Sequence, residues 1–260
     1  MKLELADATL ELRVTGNPTA PTLMFLHHFG GSSRTWDGVI RRLEGRFQCV
    51  ALDQRGFGDS SAAGEYSLEA MAEDVLAVVD ALSLERYALI GHSMGGKVAL
   101  SVAARRPTGL EELVLIAPSP PTPEPMEPAE RGRLLRSHGD RAATQQTNRN
   151  ISRLPIADNE FEVLLEDNLR CSLGAWNAWL ETGSRETLEL DVIDAPTLLI
   201  AGKLDPVIPL ELLRKEITPH LTQFRLEVIA GAGHLLPLEA AGHVAELIAA
   251  HTMIGAARVD

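Results

Sequence analysis

Cysteine is nearly absent. Cys49 and Cys171 are the only two in 260 residues, and they belong to different segments. That excludes a disulfide framework and a cysteine-based zinc site. Aromatic residues are scarce at 4%, so the core has to be built from Leu, Val, Ile and Ala. No apolar run reaches the ~18 residues that span a bilayer. Positive charge is in deficit: 24 Lys+Arg stand against 36 Asp+Glu, a net charge of −12. Such a field repels polyanions, so neither a nucleic-acid partner nor an anionic membrane surface is expected. The opening Met1-Lys2-Leu3-Glu4-Leu5-Ala6-Asp7 alternates charged and apolar groups and does not read as a signal peptide. With 45% apolar and 23% charged residues, the composition is that of a globular protein rather than a disordered tail or fibre. The expectation is a cytoplasmic, acidic globular protein.

What is present is alternation. Leu3–Leu5 and Leu10–Val14, followed by Gly16-Asn17-Pro18, read as an edge hairpin and a turn. Apolar runs too short for helices then recur at Thr22–Leu26, Cys49–Leu52, Tyr87–Ile90, Leu113–Ile116, Thr197–Ile200 and Leu226–Ile229. Runs of this kind suit parallel strands buried on both faces. Between them lie helical spacings: Leu68, Met71, Val75, Val78, Val79 and Leu82, and then a helix from Gly96 to Arg106, ending before Pro107. Strands alternating with helices predict an α/β fold, a mostly parallel eight-stranded sheet flanked by helices. A chain of this length holds one such core plus an insertion.

The alternation stops at residue 118. Pro118, Pro120, Pro121, Pro123, Pro125 and Pro128 crowd a stretch that neither a strand nor a helix interior tolerates. Residues 129 to about 187 carry helical patterns without a buried-strand run, as at Phe161, Leu164, Leu165, Asn168 and Leu169. The predicted organisation is a core of residues 1–118 and 188–260 and a helical cap of residues 119–187. The cap follows the sixth strand of eight and lies over the C-terminal edge of the sheet.

Gly91-His92-Ser93-Met94-Gly95 is the first chemical signal. A Gly-x-Ser-x-Gly arises by chance in about one chain in ten of this size and composition, so context decides. Here it follows a buried strand directly and opens a helix, a sharp turn that strains the serine backbone at the sheet edge. A serine hydroxyl needs an adjacent base, and the base needs a carboxylate to hold it. In a doubly wound sheet these partners follow later strands in the order acid, then His. Asp205 follows Thr197–Ile200, and His234 follows Leu226–Ile229. Asp191 and Asp194 precede their strand, at the wrong end of the sheet. His220 precedes the eighth strand, and His243 and His251 lie beyond the loop. The Ala117-Pro118-Ser119 loop carries no acid that replaces Asp205. After the first buried strand, His27-His28-Phe29-Gly30-Gly31-Ser32 forms a loop whose backbone N–H groups can face a tetrahedral oxyanion, Phe29 pairing with Met94.

These residues resemble the α/β-hydrolase family, most closely its small bacterial cofactor-free haloperoxidases, carboxylesterases, lactonases and carbon–carbon bond hydrolases. The likeness covers nearly the whole chain outside the insertion. It includes the elbow Gly91–Gly96 and the stretch Asp53-Gln54-Arg55-Gly56-Phe57-Gly58-Asp59-Ser60, in which Arg55 is read as tying loops together. One departure is His28, where the family usually shows Gly in His-Gly-Phe; a β-carbon there narrows the oxyanion loop. Haloalkane dehalogenases and most epoxide hydrolases of this fold carry Asp at the elbow, and Ser93 argues against both. The resemblance implies acyl transfer: His234 takes the Ser93 proton and returns it to the leaving group while Asp205 holds the imidazole. It implies no cofactor and no metal.

Trp176 and Trp179, three apart, share one helical face. They either line an acyl pocket or glue the cap to the core. The expected activity is hydrolysis of a small, mostly apolar carboxylic ester, with perhydrolase side activity. The alternatives are a catabolic hydrolase of a lactone or a carbon–carbon bond, and a receptor-like protein that keeps the triad but does not turn over. The expected partner is a small ester-like molecule.

Overall fold

The computed structural model describes residues 1–256, with side chains as far as Thr252. The short apolar runs form strands. In chain order these are β1 (Lys2–Glu4), β2 (Ala8–Gly16), β3 (Thr22–Leu26), β4 (Gln48–Leu52), β5 (Ser61–Ala62), β6 (Tyr87–His92), β7 (Leu110–Ile116), β8 (Thr197–Gly202) and β9 (Phe224–Ile229). Eight of them follow the path β1-β2-β4-β3-β6-β7-β8-β9, and the two-residue β5 pairs with β2 beside it. The edge hairpin is antiparallel, and β2 pairs antiparallel with β4. From β4 through β9 every pairing on the path is parallel. The strands sort by burial as that pairing demands. On β2, Ala8, Leu10 and Leu12 are buried and alternate with more exposed Thr9, Glu11 and Arg13, whereas every residue of β3, β6 and β8 is buried.

Successive strand residues feed opposite faces of the sheet. Met24, Leu26, Leu89, Leu115 and Leu199 join one core layer with α2 (Leu68–Ala81), α3 (Met94–Ala104) and α8 (Leu210–Glu216). Phe25, Ile90, Ile116 and Ile200 join the other, with α1 (Asp37–Leu43) and α10 (Ala241–Ala256). Helix α3 starts at Met94, two residues before its spacing predicts, which makes Met94 its first helical residue.

The stretch after β4 is held by Arg55. Its guanidinium takes Asp74 of α2 with two bonds of 2.7 Å, Asp7 at 2.9 Å and the Glu65 carbonyl at 2.9 Å. The Arg55 and Asp74 side chains are 3% and 2% exposed. Removing one partner of a buried pair leaves the other charge uncompensated. Asp74→Asn is therefore expected to cost about 3 kcal/mol, at the lower end of the range because Asp7 remains. A urea midpoint unchanged from wild type would contradict this.

Between β7 and β8 the chain forms α4 (Pro128–Arg136), α5 (Arg141–Ile151), α6 (Asp158–Arg170) and α7 (Leu173–Glu181), and no strand. The proline stretch stays irregular until Pro128 opens α4, where its missing N–H costs nothing. Buried Asp167 of α6 fastens these helices to the core. It accepts the Ser32 hydroxyl at 2.6 Å and the Arg34 Nε–H at 3.0 Å. The Phe29 ring lies 4.4 Å from that of Trp176 of α7. Among the described residues, no helix is long and apolar enough to cross a membrane.

Candidate active site

The carboxyl ends of β3, β6, β8 and β9 converge on one point, each supplying one loop. The turn after β6 is tight. A Cβ on Gly91 would lie 2.3 Å from the Gly95 carbonyl oxygen, and one on Gly95 would lie 2.5 Å from that of Leu26. Only glycine allows the strand and helix backbones that approach. Ser93 between them has φ +53° and ψ −116°, a conformation that costs about 1–3 kcal/mol. It is held in place on both sides. Its N–H donates to Ile116 O at 3.0 Å, and its carbonyl accepts from Gly96, Ser119 and Lys97.

Three side chains form a line. Ser93 Oγ lies 2.9 Å from His234 Nε2, and His234 Nδ1 lies 2.8 Å from Asp205 Oδ2. The other Asp205 oxygen accepts the Val207 and Ile208 N–H groups at 2.7 and 3.0 Å. A carboxylate only accepts, so the His234 proton belongs on Nδ1 and Nε2 is free to accept from the serine. Burial pulls the imidazole pKa down, but the charge and hydrogen bond of Asp205, with Glu124 and Glu239 behind them, outweigh it and hold it above 6.5. For Asp205, burial favours the neutral acid, and His234 with the two backbone N–H groups reverses that.

The His234 loop is fixed by a residue that sequence reasoning missed. Glu239 of α9 (Leu236–Glu239) accepts from Gly233 N, Arg153 N and Leu154 N with one oxygen and from Leu235 N with the other, at 2.8 to 2.9 Å. It gathers the loop and the end of α5 onto one carboxylate. A carboxylate five positions after the histidine, next to a loop rich in free N–H groups, was the available signal. His92 Nε2 donates to the His234 carbonyl at 2.8 Å. His27 latches the β3 loop. Its Nδ1–H donates to His28 O at 2.7 Å, its Nε2 accepts from Gln54 N at 3.1 Å, and its carbonyl accepts Gly95 N at 3.2 Å. Among the described residues, neither Phe29 nor Met94 spends its backbone N–H on an internal hydrogen bond.

Ser93 and His234 open onto a cavity of about 400 Å³, whose wall includes Phe29, Trp176, Trp179 and Glu124. Glu124 carries no signal in the sequence, because it lies five residues beyond the Ala117-Pro118-Ser119 loop that follows β7. Its carboxyl accepts the Ser119 hydroxyl at 2.6 Å. Trp176 and Trp179, both 3% exposed, wall the cavity and also join the core cluster with Phe29 against them. The bystanders stand apart. Asp194 is exposed and pairs with Arg106 at 3.5 Å, and His243 is exposed.

The family model described as alpha/beta hydrolase fold matches residues 21–179, more than half of the chain. The chain belongs to the α/β-hydrolase fold family. This hydrolase is 30% identical over 243 residues to the pimeloyl-acyl-carrier-protein methyl ester esterase of Nitrosomonas europaea, covering 87% of this chain and 93% of that one. It is 33% identical over 217 residues, 76% of this chain and 81% of the other, to a Pseudomonas syringae protein whose name assigns it provisionally to carbamate hydrolysis. A thermophilic esterase from Thermogutta terrifontis has the same fold, with a TM-score of 0.81 at 24% identity, covering 98% of this chain and 99% of that one.

Proposed function

We propose that this hydrolase is a serine esterase that cleaves small carboxylic esters through an acyl-enzyme on Ser93. The observation that carries the reading is the line Ser93–His234–Asp205, at 2.9 and 2.8 Å, opening onto a cavity. As Oγ bonds to the carbonyl carbon, Nε2 takes its proton, and the carbonyl oxygen gains charge in front of the Phe29 and Met94 N–H groups. The imidazolium then gives the proton to the departing alcohol oxygen as the C–O bond breaks. Water enters, loses a proton to the same Nε2, and releases the acid. Hydrogen peroxide in place of water gives the peracid, which is the perhydrolase side activity.

An ester is favoured by the relative named a methyl ester esterase and by the charge of the wall. Among the described residues, the cavity lining includes Glu124, Glu127 and Glu130 and no lysine or arginine. Arg149 and Arg153 are exposed and do not line it. A substrate carrying its own carboxylate, as in many lactone and carbon–carbon hydrolyses, lacks a partner there. The test is nitrophenyl acetate. One nitrophenol released per enzyme followed by steady turnover supports the esterase. A single burst without turnover supports a receptor-like role, and no release at all overturns the reading.

The pH profile has a definite direction. The base works only as neutral imidazole, and a raised pKa means that neutral imidazole appears at higher pH. The acid limb of kcat/KM should therefore have its midpoint above 6.5. Glu124 contributes to that rise through its charge, so Glu124→Gln should move the midpoint down. A midpoint below 6.5 in wild type would contradict the assignment.

On this reading residues 119–187 act as a cap that sets access to Ser93. Trp179→Ala should change the ratio of hexanoyl to acetyl ester turnover several-fold. An unchanged ratio with a lowered melting temperature would leave Trp179 only its packing against the core.

A further inference from the structure

His28 stands between two residues with assigned tasks, the His27 latch and the Phe29 N–H. Its side chain is itself unused. The residue is 5% exposed, and its Nδ1 is sealed from solvent without a partner. Neither ring nitrogen makes a hydrogen bond among the described residues, whereas His27 commits both of its ring nitrogens and His92 one. An unpaired buried polar group costs about 1–3 kcal/mol; Nδ1 bears that cost, whereas Nε2, which has no protein partner either, can take one from a ligand. The place for that ligand is at hand, because His28 lines the cavity beside Ser93 and His234. Its ring lies 5.1 Å from that of His92, which in turn lies 5.4 Å from that of His234.

The state of the ring follows from its surroundings. Burial, with His92, His27 and His234 around it, holds the imidazole well below its usual pKa. It is therefore neutral and has one N–H. A proton on Nε2 turns that donor toward the cavity and leaves only a bare lone pair at the sealed Nδ1, the lesser loss. We propose that His28 is a third hydrogen-bond donor to the ester group of the bound substrate, working beside the Phe29 and Met94 amides. The inference rests on the serine-esterase reading and goes beyond it by assigning a side chain to the oxyanion region. A donor to the carbonyl oxygen strengthens as charge develops there, so it acts on kcat more than on KM. A neutral donor also suits a site where His234 becomes an imidazolium in the same step, since a second cation would oppose that charge.

The experiment compares His28→Phe, which keeps a ring without a donor, with His28→Gln, whose amide N–H sits near the Nε2 position. Wild type and Ser93→Ala are run beside them on nitrophenyl esters, and melting temperatures are recorded for all. His28→Phe is expected to lose about 10- to 100-fold in kcat/KM, mostly in kcat, while keeping its melting temperature. His28→Gln is expected to recover several-fold of that loss. A His28→Phe enzyme within two-fold of wild type overturns the proposal. So does an equal loss in both variants accompanied by a lowered melting temperature, which marks a packing role. If His28→Phe fails to fold, His28→Leu, which also lacks a donor, takes its place and is read against His28→Gln in the same way. Failure of the esterase reading looks different, since wild type would then be no more active than Ser93→Ala.

Discussion

Replacing Ser93 with alanine is expected to lower ester turnover at least about 10³-fold, or roughly 4 kcal/mol of transition-state stabilisation, and to leave the fold unchanged. The loss follows because the acyl-enzyme has no other oxygen to form on. His234 Nε2 stays in place, but it has only water to activate. The fold survives because Ser93 contributes to it through its backbone. Its N–H still reaches Ile116 O, and its carbonyl still accepts from Gly96, Lys97 and Ser119. Alanine at φ +53° carries the same strain as serine, so no stability is gained or lost there. Steady-state kinetics and a melting curve check both halves. An active Ser93→Ala protein would remove the basis of the proposed function.

The second large effect is at Asp205, where the geometry dictates a tautomer. Asparagine there must keep its oxygen toward the Val207 and Ile208 N–H groups, which turns its NH₂ toward His234 Nδ1. Nδ1 then has to accept, so the ring proton moves to Nε2 and points at Ser93. The base is held in place and cannot act as one. Turnover is expected to fall by about 10³ to 10⁴-fold. Asp194→Asn, at an exposed surface ion pair, should retain near-full activity and lie within about 0.5 kcal/mol of wild-type stability. A crippled Asp194→Asn beside an active Asp205→Asn would reverse the assignment of the acid.

The parts of this protein that announced themselves were those governed by local pattern. Buried runs such as Thr22–Leu26 and Thr197–Ile200 suit central parallel strands, and their order places Ser93, Asp205 and His234 at one edge of the sheet. Strand β5 was not legible, because two residues carry no period. The start of α3 at Met94 lay upstream of its apolar spacing, since a glycine-rich first turn gives no hydrophobic signal. Buried carboxylates were harder still. Glu239, Asp167 and Glu124 look like solvated acids in the sequence, but Asp167 is held by a hydroxyl distant in the chain, Glu239 by backbone N–H groups, and Glu124, on the cavity wall, by the Ser119 hydroxyl. His28 illustrates the same limit from the other side. The sequence marks it as a departure from the family pattern, but only the packing shows a ring with no internal partner facing the cavity.

The central claim is that Ser93 is the atom that attacks, and covalent labelling tests it most directly. Trypsin cleavage at Arg86 and Lys97 releases Tyr87–Lys97, a peptide whose single serine is Ser93. After treatment with phenylmethylsulfonyl fluoride, peptide mass spectrometry should find the sulfonyl group on that serine alone. Its occupancy should rise in step with the loss of ester turnover, and Ser93→Ala should take up none. A label on another residue, or full turnover by fully labelled protein, would contradict the account.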